Sequence, residues 1–141
     1  MEIEGYREHA SKEPPGELVV YISDEVHAYL VAEGVEGGRN RRHVGKVDII
    51  LKRLRREGMQ VRAGEQFKFE GRFPSGRRKG GEQAVYVAKS DQVRIYGGPI
   101  TVGGKTILLF PEPDTKKRNK ADQALLKRVA KSLGEKNDEL G

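Results

Sequence analysis

Gln83-Ala84-Val85-Tyr86-Val87-Ala88-Lys89-Ser90-Asp91-Gln92-Val93-Arg94-Ile95-Tyr96 is the stretch that decides the fold. Two runs rich in β-branched and aromatic residues, Gln83–Lys89 and Gln92–Tyr96, are separated only by Ser90-Asp91, a gap short enough for a β-hairpin. On one side lies Gln66–Gly71, with Phe67 and Phe69 alternating with polar residues; on the other lies the apolar run Thr106–Phe110. Gly97-Gly98-Pro99 and Gly103-Gly104 read as turns. The four runs predict an antiparallel β-meander.

Working back toward the N-terminus, Val44, Val47, Ile50, Leu51 and Leu54 recur at helical spacing, with basic residues on the other faces and Gly58 as the stop. A shorter helix with Val26, Tyr29 and Leu30 on one face opens at Ser23-Asp24, where Ser23 is an N-cap candidate, and closes by Gly34. Leu18–Ile22 before it has the composition of a buried strand. Toward the C-terminus, Asn119 and Asp122 resemble a capping box for a helix carrying Ala121, Leu125, Val129 and Ala130, ended by Gly134. Residues 1–16, polar and containing Pro14-Pro15, read as a flexible acidic arm, residues 17–134 as a single domain, and residues 135–141 as a polar tail. The expected fold class is α+β: N-terminal strand, helical hairpin, antiparallel meander and C-terminal helix.

The 141 residues are 35% hydrophobic and 34% charged, enough for one modest core. With no cysteine there is no disulfide, thiolate metal site or thiol nucleophile. No apolar run reaches the roughly 18 residues of a membrane span and the N-terminus has no signal-peptide core, so a cytoplasmic protein without membrane partners is expected. Charge is unevenly placed. Residues 1–36 hold 9 acidic and 2 basic residues, whereas residues 37–141 hold 12 acidic and 25 basic, a field that attracts polyanions.

Gly98–Thr106 resembles a P-loop only superficially. Five residues separate Gly98 from Gly104 where the motif has four, Pro99 stands at a glycine position, and a strand follows where a helix must hold the phosphates. His9, His27 and His43 show no metal-ligand or triad spacing; His27 reads as a surface residue and His43 as a capping-turn histidine. Neither a metal nor a cofactor is expected.

Three basic clusters remain: Arg39, Arg41 and Arg42; Arg72 with Arg77, Arg78 and Lys79; and Lys116, Lys117, Arg118 and Lys120 before the last helix. The second and third are expected to meet at one edge of the sheet, with Lys89 and Arg94 projecting between them, as a grip for a phosphodiester.

Val85–Tyr96, a Tyr-bearing strand turning into an Arg-bearing strand, and Thr106–Phe110 followed by Thr115–Ala130, an apolar strand, a KK-type linker and a closing helix, resemble the RelE/ParE/HigB superfamily of type II toxin–antitoxin toxins. The resemblance spans about Glu17 to Gly134. It implies a metal-independent, ribosome-dependent mRNA endoribonuclease with a cognate antitoxin as partner. By that likeness Arg94 and Arg118 (or Lys117) stabilise the phosphate and Lys89 transfers a proton or stabilises charge, while Arg72, Arg77, Arg78, Lys79, Lys116, Lys117 and Lys120 hold RNA. The ParE branch implies DNA gyrase inhibition instead, and a non-toxic basic RNA- or protein-binding module is the third reading. The chain departs from the pattern at the Gly71–Gly81 insertion, at Val87 in place of a lysine, and in a terminal helix without the expected tyrosine. The acidic arm, with Glu2, Glu4, Glu8 and Glu13, is expected either to cover the basic face in cis or to stay disordered.

Overall fold

A computed structural model describes residues 1–61, 66–115 and 122–141. In chain order the elements are β1 (Tyr6–Glu8), β2 (Val19–Ser23), α1 (Asp24–Glu33), α2 (Arg41–Glu57), β3 (Phe67–Pro74), β4 (Glu82–Ser90), β5 (Val93–Val102), β6 (Lys105–Pro113) and α3 (Gln123–Leu140). The class is α+β. The strands form one six-stranded mixed sheet in the order β1-β2-β6-β5-β4-β3, with β2 parallel to β6 and every other pair antiparallel.

Alternation along the strands divides the apolar side chains between two layers rather than the single core that composition suggested. Val20, Ile22, Val93, Ile95, Leu108 and Phe110 join Val26, Tyr29, Val47, Ile50, Leu51 and Leu54 from α1 and α2. Tyr21, Val85, Val87, Tyr96, Ile107 and Leu109 join Leu125, Leu126, Val129 and Leu133 from α3. A sheet covered on both faces uses each strand twice, so a modest apolar content fills both layers.

Local signals place most boundaries. Ser23 Oγ accepts from Val26 N at 3.0 Å, a cap of about 1 kcal/mol, and also donates to Pro111 O at 2.8 Å, tying the start of α1 to β6. Gly34 and Gly58 end α1 and α2 as expected. The β4–β5 turn is Asp91-Gln92, with Ser90 opposite Val93 and Asp91 at φ 51°. Gly103-Gly104, at φ 56° and 79°, turns β5 into β6.

Several boundaries differ from the sequence reading: the β4–β5 turn lies one residue later than Ser90-Asp91, β3 runs past Gly71 to Pro74, and three further differences involve glycines and a cap. Gly97-Gly98-Pro99 is not a turn but the middle of β5, with a register irregularity between Tyr96 and Gly98; side chains there would strike the Leu109 and Ala84 carbonyls. Gly134 lies within α3, which runs on to Leu140, so residues 135–140 are helical; a Cβ on Gly134 would strike the Ser75 carbonyl. Asp122, rather than Asn119, is the α3 cap, accepting from Ala124 N at 3.1 Å, and Asn119 lies outside the described residues.

Residues 1–16 form no loose arm. β1 pairs with β2, Ile3 is buried in the α3-side layer, and Arg55 of α2, 7% exposed, reaches back across the chain. Its guanidinium donates to Glu8 Oε2 at 2.7 Å and to the carbonyls of Glu13 (3.2 Å), Pro14 (3.4 Å) and His9 (3.5 Å). Lys52 adds Glu13 at 3.7 Å, and Arg7 pairs with Asp24 at 3.1 Å. Glu8 and Glu13 are thus engaged by Arg55 and Lys52, at the β1 edge and not at the β3 edge. The segment therefore does not mask the second basic cluster.

Candidate functional site

The end of the β4–β5 hairpin concentrates the polar chemistry of the sheet. Lys89 and Arg94 are direct cross-strand partners, and alternation puts both on the α3 face with Val87 and Tyr96. Arg94 is buried at 9% exposure, whereas Lys89 is half-exposed. Arg94 Nε donates to the Asp91 carbonyl at 3.4 Å, which holds the side chain against its own turn. Its main chain is fixed on both sides: Arg94 N donates to the Tyr29 hydroxyl at 3.3 Å, and Asp114 N donates to Arg94 O at 3.0 Å. The Tyr29 hydroxyl in turn donates to Gln92 O at 3.4 Å.

Two buried tyrosines shape the electrostatics of this corner. Burial pushes the Tyr96 phenol up to about 12; Asp114 acts in the same direction, while Arg94, by charge and hydrogen bond, opposes it. Burial likewise raises Tyr29, against the Arg94 backbone bond. Both phenols therefore stay protonated at neutral pH, and each oxygen accepts from Arg94: Tyr29 from its backbone N–H, Tyr96 from its side chain.

On the opposite face of the same turn, His43 Nδ1 lies 2.8 Å from Ser90 Oγ, and its Nε2 lies 3.7 Å from Asp91 Oδ2. His43 is thus no isolated capping-turn residue: it ties the first turn of α2 to the hairpin. Asn40 at the α2 cap makes no side-chain cap bond and donates instead to Glu33 Oε2 at 3.1 Å.

The second basic cluster does not meet Lys89 and Arg94. Arg77, Arg78 and Lys79 sit in the β3–β4 loop at the Glu82 end of β4, while Lys89 stands at the other end, about 23 Å away at roughly 3.3 Å per residue. Arg77 Nε donates to Asp138 Oδ1 and Arg78 N to Asp138 Oδ2, both at 3.0 Å. The Arg78 amide, then the Arg77 guanidinium, hold the Asp138 carboxyl below its ordinary value. Arg77 is therefore engaged in anchoring the insertion to α3, while the side chains of Arg72, Arg78 and Lys79 are exposed. Lys116, Lys117, Arg118 and Lys120 lie outside the described residues; the described chain before them stops at Thr115, one residue after Asp114 beside Arg94.

Sequence reasoning thus found the Lys89–Arg94 pair and missed its support. Tyr29 reads as a helix-face residue and Tyr96 as a strand residue, and Asp114 carries no sequence signal, because their role depends on pairing across 63 residues for Tyr29–Gln92 and on the main-chain contact of Asp114 with Arg94. Among the described residues no group of three His, Asp or Glu side chains is placed to hold a metal ion, and no helix is long and apolar enough to cross a membrane. No family model matches the chain, and no curated protein or solved structure matches it.

Proposed function

We propose that this chain is a metal-independent endoribonuclease that cuts mRNA on the ribosome, acting as the toxin of a type II toxin–antitoxin pair of the RelE/ParE/HigB kind and restrained by a cognate antitoxin. The observation that supports this reading best is the cross-strand pairing of Lys89 with Arg94 on one face at the end of a rigid hairpin. In the cleavage, the ribose 2′-oxygen attacks the neighbouring phosphorus and loses its proton, and the departing 5′-oxygen gains one. The products are a 2′,3′-cyclic phosphate and a 5′-hydroxyl. Negative charge peaks on the phosphoryl oxygens midway, and fixed cations there lower the barrier most.

Arg94 suits the fixed role, since its backbone and side chain are both held before substrate arrives. Lys89, half-exposed, suits proton transfer or charge stabilisation at the scissile group. The terminal-helix tyrosine that the resemblance leads one to look for is absent; the Tyr96 oxygen instead accepts a hydrogen bond from the Arg94 side chain, which keeps the guanidinium aligned.

The test is 5′-end mapping of an mRNA in a reconstituted translation reaction, with and without ribosomes, for the wild-type chain, Lys89→Ala and Arg94→Lys. Discrete cuts that require ribosomes, are lost in Lys89→Ala and fall about 100-fold in Arg94→Lys, with both variants still folding cooperatively, are the expected result. Intact mRNA under both conditions overturns the reading, and a gyrase supercoiling assay then tests the ParE-like alternative.

A further inference from the structure

We propose that the outer part of the sheet face shared with α2, where Phe69 and Tyr86 stand near Arg72, binds an unpaired base of single-stranded RNA; the choice of RNA rests on the function proposed above. Three rings are arranged in series. Phe67 is buried and lies flat against Tyr86, with centroids 5.1 Å apart and planes 5° apart. Phe69 meets Tyr86 edge-on at 5.4 Å and 61°, and remains 50% exposed. The inner rings fix the outer one, so presenting Phe69 to a ligand costs little further ordering.

This part of the sheet lies beyond the end of α2. The helix stops at Glu57, and Met59, Tyr86, Ala84 and Arg72 line one side of a cleft of about 540 Å³ that adjoins the rings, with Phe69 outside its lining. Tyr86 and Arg72 border both the ring pair and the cleft, so a base stacked on Phe69 would place its sugar and phosphate toward the cleft cations. Lys79 adds a second exposed cation to the wall, where Glu82 is the carboxylate, and Arg77 is already engaged by Asp138. An exposed ring beside exposed cations is the combination that single-stranded nucleic acid uses: the base stacks and the phosphates pair, with little dependence on sequence.

The alternative use of an edge strand, pairing with a strand from another protein, is disfavoured by β3 itself. A register irregularity interrupts it between Phe69 and Gly71, and Lys68, Glu70 and Arg72 place charges along it. A base needs only the ring and a cation.

The proposal is tested by fluorescence anisotropy with a labelled oligoadenylate hexamer and an abasic phosphodiester of the same length, in the absence of ribosomes. The proteins are wild type, Phe69→Ala, Phe69→Leu, Phe69→Trp and Arg72→Gln. We expect Phe69→Ala and Phe69→Leu to weaken hexamer binding about 10-fold, within the roughly 5- to 150-fold range for loss of one stacked base. Phe69→Trp should keep the affinity and show indole quenching on binding, whereas Arg72→Gln should weaken both ligands. Equal hexamer affinity in wild type, Phe69→Ala and Phe69→Leu, equally tight binding of the abasic chain, or no binding by the wild type overturns the proposal. Cleavage on ribosomes is read separately with Lys89→Ala. Stacking without cleavage therefore removes the nuclease alone, and wild-type cleavage by Phe69→Ala with unchanged hexamer binding removes the stacking site alone.

Discussion

Arg55 and Arg94 are both buried, at 7% and 9% exposure, yet they serve the molecule differently. The Arg55 guanidinium spans 41 to 47 residues of sequence to collect one carboxylate and three carbonyls, and so closes the N-terminal segment onto α2. The Arg94 side chain stays with its own hairpin, at the Asp91 carbonyl and the Tyr96 hydroxyl, directly across from a half-exposed lysine. One arginine holds distant chain together; the other is held in place. Burial alone does not separate these roles, but the sequence distance of the partners does.

The contrast is broken most forcefully at Arg55. Arg55→Ala leaves three carbonyls short of a donor and Glu8 without its cation, a loss of about 3 kcal/mol. Chemical denaturation should show that loss, and limited proteolysis should cut within residues 1–16 before any other segment. A protein with wild-type stability and protease resistance would mean that the strap contributes nothing.

Arg94→Lys should do the reverse. It keeps a cation in the corner but loses the planar fork and the alignment by Tyr96, so cleavage on ribosomes should fall about 100-fold. Stability should change less than in Arg55→Ala. Equal losses of stability in the two variants would make Arg94 a second strap.

Gly134→Ala tests whether the insertion end of the sheet belongs to the proposed site. The added methyl meets the Ser75 carbonyl, so overpacking should cost about 2 kcal/mol and loosen the loop that Arg77 anchors to Asp138. Cleavage measured well below the unfolding temperature should persist, because Lys89 and Arg94 stand at the other end of β4. A matching collapse of cleavage would join the two ends functionally.

These variants also mark what the sequence makes legible. Ser23, Gly34 and Gly58 act within one turn of chain, so helix limits follow from local pattern. Lys89 and Arg94 face each other because two short runs flank a tight turn, which is again local. The β2–β6 parallel pairing, the strand through Gly97 and Gly98, and the helix through Gly134 all depend on a neighbour distant in sequence. Glycine reads as a break when seen alone and as a close contact when Leu109, Ala84 or Ser75 lies against it. The N-terminal segment was illegible for the same reason, since nothing in residues 1–16 announces that Arg55 will satisfy their carbonyls.

The smallest effect expected is a loosening of that segment by acid. His9 Nε2 lies 2.8 Å from Asp48 Oδ1, and burial lowers the imidazole from its ordinary 6.5, with Asp48 opposing and Lys52 and Arg55 reinforcing the decrease. A base whose folded value is lowered binds a proton more readily in the unfolded chain, so stability rises with pH between the two values. Its contribution is complete above about 6.5 and is lost as pH falls from there toward the folded value. Hydrogen exchange of residues 7–16, corrected for intrinsic rates, should show less protection at about pH 5.5 than at about pH 7.5. His9→Gln, which has no such proton to bind, should flatten that difference while leaving the Arg55 strap in place. A pH dependence that survives in His9→Gln would show that the imidazole is not its source, and the Arg55 strap alone would then set how tightly this edge of the sheet is closed.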